Sequence, residues 1–268
     1  MFRLQKVSNY GTSTPAVART VLQGHKLLQF FDSPDTEKEA AVSVLFELQR
    51  HVVKCVEIRD QLAAEISTGH LEAESKGFKQ AGGGAISLPG VGDLQSKSET
   101  FLQSAKLAIA ETGNLTKPFY GKGFGHKYHK FLAWTEAKFG ASDDFATLVK
   151  SWEPYVKRIV GMRNAVDHPG NLPGGRLMTT NFDITLGTVG YELVDPSWGL
   201  TGEPLTPILA DFGAIIEETI VLGENVLVCL FYKLKGNSPI EILEIPPHER
   251  DPDNPRRLTI GILGTREA

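Results

Sequence analysis

A chain of 268 residues with 41% hydrophobic content is long enough to enclose a core, as one large domain or two small ones. Its 32 acidic residues outnumber 28 basic ones, giving a net charge of -4 that excludes a globally basic nucleic-acid binder. Cys55 and Cys229 are the only cysteines, too few for a disulfide framework or a zinc site of the usual spacing. Both fall inside apolar helical patterns, as buried free thiols do, which points to a reducing, cytoplasmic setting.

Residues 1–34 contain no apolar leader core and read as a loosely held N-terminal arm. A long first helix is predicted next, capped by Ser33 or Asp35 and acidic in its first turn. Its stripe is Val42, Leu45, Val52, Val56, Leu62 and Ile66, and Gly69 follows as a stop. Residues 79–93, KQAGGGAISLPGVGD, read as a glycine-rich connector, because GVGD lacks the Gly-Lys-Ser/Thr of a phosphate loop. A second helix is predicted over 94–112, with Leu94, Phe101, Ala105 and Ala108 in register. A third covers 126–139, with Tyr128, Leu132, Thr135 and Phe139 on one side. A fourth helical region, 143–167, carries Phe145, Leu148, Trp152, Tyr155, Ile159 and Val166. Pro154 predicts either a kink there or a break, with the proline in the first turn of a new helix.

After Pro169-Gly170 the period changes. RLMTTNFDITLGTVGYELVD alternates around a glycine-containing turn, the pattern of a β-hairpin. A fifth helix is predicted over 205–234, and Asp211, Glu217, Glu218 and Glu224 interrupt its apolar run too often for a membrane span. Two strand-like stretches, 240–245 and 257–263, flank a polar, proline-rich loop. The expected fold class is mainly α: a helical bundle of four to five helices with a small antiparallel hairpin or sheet after the fourth helix and at the C-terminus. The bundle proper would occupy 35–170, with the hairpin, fifth helix and final strands of 171–268 packed on the same domain.

The stretch VGMRNAVDHPG, residues 160–170, carries the most specific chemistry. Arg163 follows Ile159 by four residues and so continues the apolar stripe, where a guanidinium must snorkel, pair with a carboxylate or point into a cleft. Pro169 drives His168 out of the α region, placing it at the helix end. Histidine is the side chain that exchanges protons near neutral pH, and arginine holds a phosphate through two parallel hydrogen bonds. Together they suit cleavage of a phosphodiester without a metal, with Asn164 as a neutral orienting donor. The same residues also admit a purely structural account. Arg163 and Asp167 form an i,i+4 pair, and His168 would then cap the helix.

Arg163-Asn164-Ala165-Val166-Asp167-His168 resembles the Arg-x(4–6)-His motif of the HEPN superfamily, in which a polar residue, often Asn, follows the arginine. The resemblance covers residues 35–168, half the chain. It implies a bundle of about four helices that dimerises and brings two motifs together. It implies a metal-independent endoribonuclease of toxin–antitoxin, phage-defence or RNA-processing type, or else a non-catalytic module that binds RNA, a nucleotide or a protein. On that footing Arg163 clamps phosphate, His168 is the general acid and base, and Asn164 orients. The implied partners are RNA or a nucleotide, a second copy of the chain and a protein antitoxin, with no membrane and no cofactor. Arg19 and His25 also have permitted spacing, but without the asparagine after the arginine and outside the four-helix region.

A second stretch, 114–135, is locally basic: Lys117, Lys122, Lys127 and Lys130 occur, and no Asp or Glu falls between Glu111 and Glu136. Tyr120 and Phe124 interleave with these lysines and with His126, the composition of a single-strand RNA or phosphate surface. The alternative is that the aromatics are core and the lysines a solvated rim. His126 and His129 have no nearby carboxylate or cysteine to complete a metal site. His51 and His70 read as surface or helix-end residues, and no Gly-x-Ser-x-Gly elbow supports a serine hydrolase.

Overall fold

The computed structural model describes residues 9–77, 79–80, 86–170, 175–188 and 190–262. The fold is mainly helical with small antiparallel sheets. α1 (Pro15–Val17) leads through a π-helical turn, Ala18–Leu22, into α2 (Gln23–Leu28). The arm expected to be loose is therefore helical from Pro15, and the reason is burial: Ala16, Ala18, Leu27 and Leu28 are enclosed.

α3 (Asp35–Lys76) runs straight through the glycine at which a stop is predicted. Gly69 belongs to the helix because Phe182 packs against it; a Cβ there would lie 2.6 Å from the ring. The true end is Gly77, which takes the left-handed conformation at φ 62°. The glycine-rich connector holds a short antiparallel pair, β1 (Lys79–Gln80) with β2 (Ile86–Ser87), and its residues 81–85 lie outside the described ones.

α4 (Leu94–Asn114), α5 (Lys117–Tyr120) and α6 (Tyr128–Phe139) follow. The fourth helical region is two helices, α7 (Asp144–Ser151) and α8 (Glu153–Asp167), with Pro154 in the first turn of the second. Asp143 caps α7 by accepting from the Phe145 amide at 2.9 Å. The hairpin is longer than its sequence pattern suggests. β3 (Leu177–Thr180) pairs with β6 (Ser197–Leu200), and β4 (Asp183–Leu186) with β5 (Tyr191–Val194), in one continuing register. The interruption falls where the Asn181 side chain leaves the ladder to bond both backbone groups of Val91. β7 (Thr206–Pro207) joins β6, α9 (Ile208–Leu234) follows, and β8 (Ile240–Glu244) pairs with β9 (Leu258–Ile262).

The chain forms two compact units, each discontinuous in sequence. The first comprises 1–53, 107–156 and 218–268, with Leu45, Leu48, Phe131, Phe145, Leu227 and Phe231 in its core. The second comprises 54–106 and 157–217, with Leu62, Leu102, Ile159 and Met162 enclosed and Phe101 stacked flat on Phe212. The acidic residues that interrupt α9 have specific partners. Asp211 accepts from Trp198 Nε1 at 2.8 Å and Arg158 Nη2 at 2.5 Å, and Glu224 is buried among arginines of the first unit.

His51 corrects a sequence expectation: it is buried, not at the surface. Its Nε2 lies 3.1 Å from Arg50 Nη2, and an arginine only donates, so the ring accepts there as the neutral Nδ1–H tautomer. Burial first, and Arg50 second, hold its pKa below the ordinary value. Cys55 is buried as expected and burial raises its thiol pKa; Cys229 is only half-buried, its thiol pushed up to about 12. Among the described residues no helix is long and apolar enough to cross a membrane.

Candidate functional site

The VGMRNAVDHPG stretch ends α8 within the second unit. Ile159, Met162 and Ala165 are its buried positions, and Arg163 and Asn164 flank that stripe, half-buried. The burial of Arg163 is answered on two sides. Its Nε donates to Gln103 Oε1 on α4 at 2.7 Å, and its Nη1 donates to Asp167 one turn further along α8. Of the outcomes open to an arginine on this stripe, pairing with a carboxylate is the one adopted, and Nη2 has no protein partner among the described residues.

Asn164 Oδ1 accepts from Lys106 Nζ at 3.5 Å, again from α4. Gln103 and Lys106 thus meet the motif from one flank of the facing helix, a turn apart. Neither residue is among the sequence candidates. Their one sequence signal is their spacing of three, which places them together beside the Phe101–Ala105–Ala108 stripe.

His168 lies just past the last residue of α8, and its amide still donates to Asn164 O at 2.9 Å, so the helical ladder carries it. Its imidazole is exposed, with no hydrogen bond or ion pair among the described residues. A capping role for the ring is therefore not what the geometry displays. Gly170, at φ 83°, takes the left-handed conformation just past the helix end.

The lysine-rich stretch belongs to the first unit. Lys117, Lys122, His126, Lys127 and Lys130 are exposed, and none has a carboxylate partner among the described residues. The loop that carries them is pinned: Asn114 Oδ1 accepts from the Gly125 amide at 3.1 Å, and Thr116 Oγ1 donates to Lys122 O at 2.6 Å. Tyr120 and Phe124 turn inward instead. Phe124 stacks on Phe131 at 5.2 Å and tilts against Trp134 at the same distance, while Tyr120 meets Trp134 and Phe139 edge-on. Lys138 lies 4.6 Å above the Tyr120 ring, and burial raises the Tyr120 hydroxyl pKa. Of the two accounts of this stretch, the geometry is that of an aromatic core under a cationic rim. What it offers a partner is charge more than stacking faces.

The other sequence candidates are placed as follows. Arg19 is buried against Glu224, and His25 is exposed. His70 sits in the body of α3, half-exposed, with Nε2 2.6 Å from Asp195 Oδ1 and its ring edge-on to Phe182. Among the described residues no group of three or more His, Cys, Asp or Glu side chains converges to hold a metal ion. No family model matches the chain, no curated protein matches it and no solved structure matches it.

Proposed function

We propose that the chain is a HEPN-type, metal-independent endoribonuclease whose centre is Arg163, Asn164 and His168. The observation that carries this reading is the end of α8, where an exposed imidazole without a partner among the described residues follows an arginine already oriented by Gln103. In the reaction His168 removes the proton from a ribose 2′-hydroxyl. The 2′-oxygen then bonds to phosphorus as the bond to the departing 5′-oxygen breaks, and that oxygen takes up the proton carried by the imidazolium. The products are a 2′,3′-cyclic phosphate and a free 5′-hydroxyl. Arg163 answers the charge that develops on the non-bridging oxygens through its open Nη2, and Asn164 orients the phosphate. The lysines at 117–130 are a phosphate-binding surface within the same proposal. Pairing of two motifs in a homodimer, and a protein antitoxin as its regulator, belong to the same proposal.

A second reading has its own support. Asp167 already neutralises Arg163, which suits a non-catalytic module that binds RNA, a nucleotide or a protein. One experiment separates the two: cleavage of single-stranded RNA in EDTA by the wild type and by His168→Ala. The nuclease reading expects activity without metal, lowered by about 10²–10⁴-fold in the variant. Equal rates in the two proteins, or strict metal dependence, would sink it.

A further inference from the structure

Lys106 is a half-buried ammonium with almost nothing around it to justify a charge. Its one hydrogen bond among the described residues, to Asn164 Oδ1, is long at 3.5 Å and goes to a neutral amide. No carboxylate is ion-paired with it among the described residues. Asp167 is taken by Arg163, Glu99 accepts from Gln95 at 2.8 Å, and Glu111 accepts from Asn114 at 3.1 Å. A lysine that gives up part of its hydration without a counter-charge leaves a local positive excess. Here that excess lies beside a second cation, because the residue it touches is the immediate neighbour of Arg163. The side chains joined at this contact, Lys106, Arg163, Gln103, Asn164 and Asp167, are two cations, two amides and a single carboxylate, a local excess of one positive charge.

We propose that Lys106 is a phosphate-binding residue of this face, holding the non-bridging oxygens of an RNA phosphate alongside Arg163. Asn164, which now accepts from Lys106, turns its amide nitrogen to the phosphate when the ligand arrives. At Asn164 the long Lys106 contact is the one exchanged. Gln103 stays on Arg163 Nε and keeps the guanidinium in place. The identity of the anion as an RNA phosphodiester rests on the function proposed above, whereas the need for an anion rests on the charge count at this face alone.

The test uses the full chain and a single-stranded RNA oligonucleotide with 2′-O-methyl sugars, which lack the attacking hydroxyl and cannot be cleaved. Binding is followed by fluorescence anisotropy across a salt series for the wild type, Lys106→Gln, Lys106→Arg and Arg163→Ala. Lys106→Gln is expected to weaken binding several-fold and to lower the slope of log affinity against log salt by about 0.7, the loss of one phosphate contact on a single strand. Lys106→Arg, which keeps the charge, is expected to retain both affinity and slope. Circular dichroism confirms that the variants are folded, and Lys106→Met serves if the glutamine variant is not. Wild-type affinity and slope in both neutral variants overturn the proposal, as does a wild type that binds no oligonucleotide. The outcome is separable from that of the nuclease reading. A wild type that binds through Lys106 yet cleaves no unmodified RNA ends the nuclease and leaves this site standing. Cleavage that depends on His168 but not on Lys106 does the reverse.

Discussion

Arg19 and Arg163 each precede a histidine at motif spacing and each donate to a carboxylate, but the two pairs sit in opposite surroundings. The Arg19 and Glu224 side chains are 5% and 1% exposed. Glu224 accepts Arg19 Nε and Nη2 at 2.9 and 2.7 Å, Gln23 Nε2 at 2.8 Å and Arg257 Nε at 2.7 Å. Gln23 closes the network by accepting the amides of Arg257 and Leu258 at 2.8 and 2.7 Å. A carboxylate saturated in this way ties the N-terminal helix, α9 and the last hairpin together and offers nothing to a ligand. Arg163 and Asp167 are 17% and 39% exposed, and the arginine's Nη2 has no partner among the described residues. Spacing treats the two alike. Saturation is what divides a fastening from a site.

The widest difference is expected in stability. Glu224→Ala removes the carboxylate that two arginines share in a buried network, and losing one partner of such a network costs about 3–5 kcal/mol. Asp167→Ala removes an exposed-side pair and should cost about 0–1 kcal/mol. Urea unfolding of both variants measures the contrast, and similar losses would break it. The Asp143 cap falls between these values. It holds both the Phe145 amide and Lys233 Nζ, the latter at 2.5 Å, and Asp143→Ala is expected to cost about 1 kcal/mol.

His51 adds a pH axis to the first unit, because burial and the neighbouring Arg50 outweigh the opposing pull of Glu47 on its ring. Its folded pKa lies below the unfolded value of about 6.5, so the folded state prefers the neutral ring. The resulting stability is fully present above that unfolded value and is lost as pH falls through the folded one. Asp143 works in a lower window. The Lys233 hydrogen bond holds its carboxyl below the usual range, so its contribution disappears only below about pH 4. His51→Gln should flatten the upper part of the acid limb and leave the lower part. An unchanged profile would mean that His51 is not the group titrating there.

Much of the helical framework is legible from periodicity, since apolar residues three and four apart report a buried face whatever that face meets. Pro154 marks the α7–α8 break through its own chemistry, and Arg163 reads as a stripe residue from its distance to Ile159. What stays hidden depends on partners far along the chain. Gly69 looks like a stop until Phe182 is brought against it, and Glu224 looks like a solvated charge until Arg19 and Arg257 surround it. Tyr120 and Phe124 interleave with lysines in the same way whether their rings face in or out, so composition misses their inward turn. Gln103 and Lys106 belong to a helix whose stripe is clear, but only the packing of α4 on α8 gives them a role.

The smallest expected stability change tests the open pair most sharply. Asp167→Asn keeps the shape of the side chain and removes its charge, and an exposed i,i+4 pair contributes only about 0.3–0.5 kcal/mol. If Asp167 is a stand-in for phosphate, the variant should fold as the wild type does and bind the 2′-O-methyl RNA several-fold more tightly, because the ligand no longer displaces a carboxylate. The gain should vanish in a background of Arg163→Ala, since the competition is for that guanidinium. If Asp167 instead holds Arg163 in position, binding falls in the single variant, and cleavage falls with it. A carboxylate that orients and one that competes make the same contact in the free protein, and only the sign of this change tells them apart.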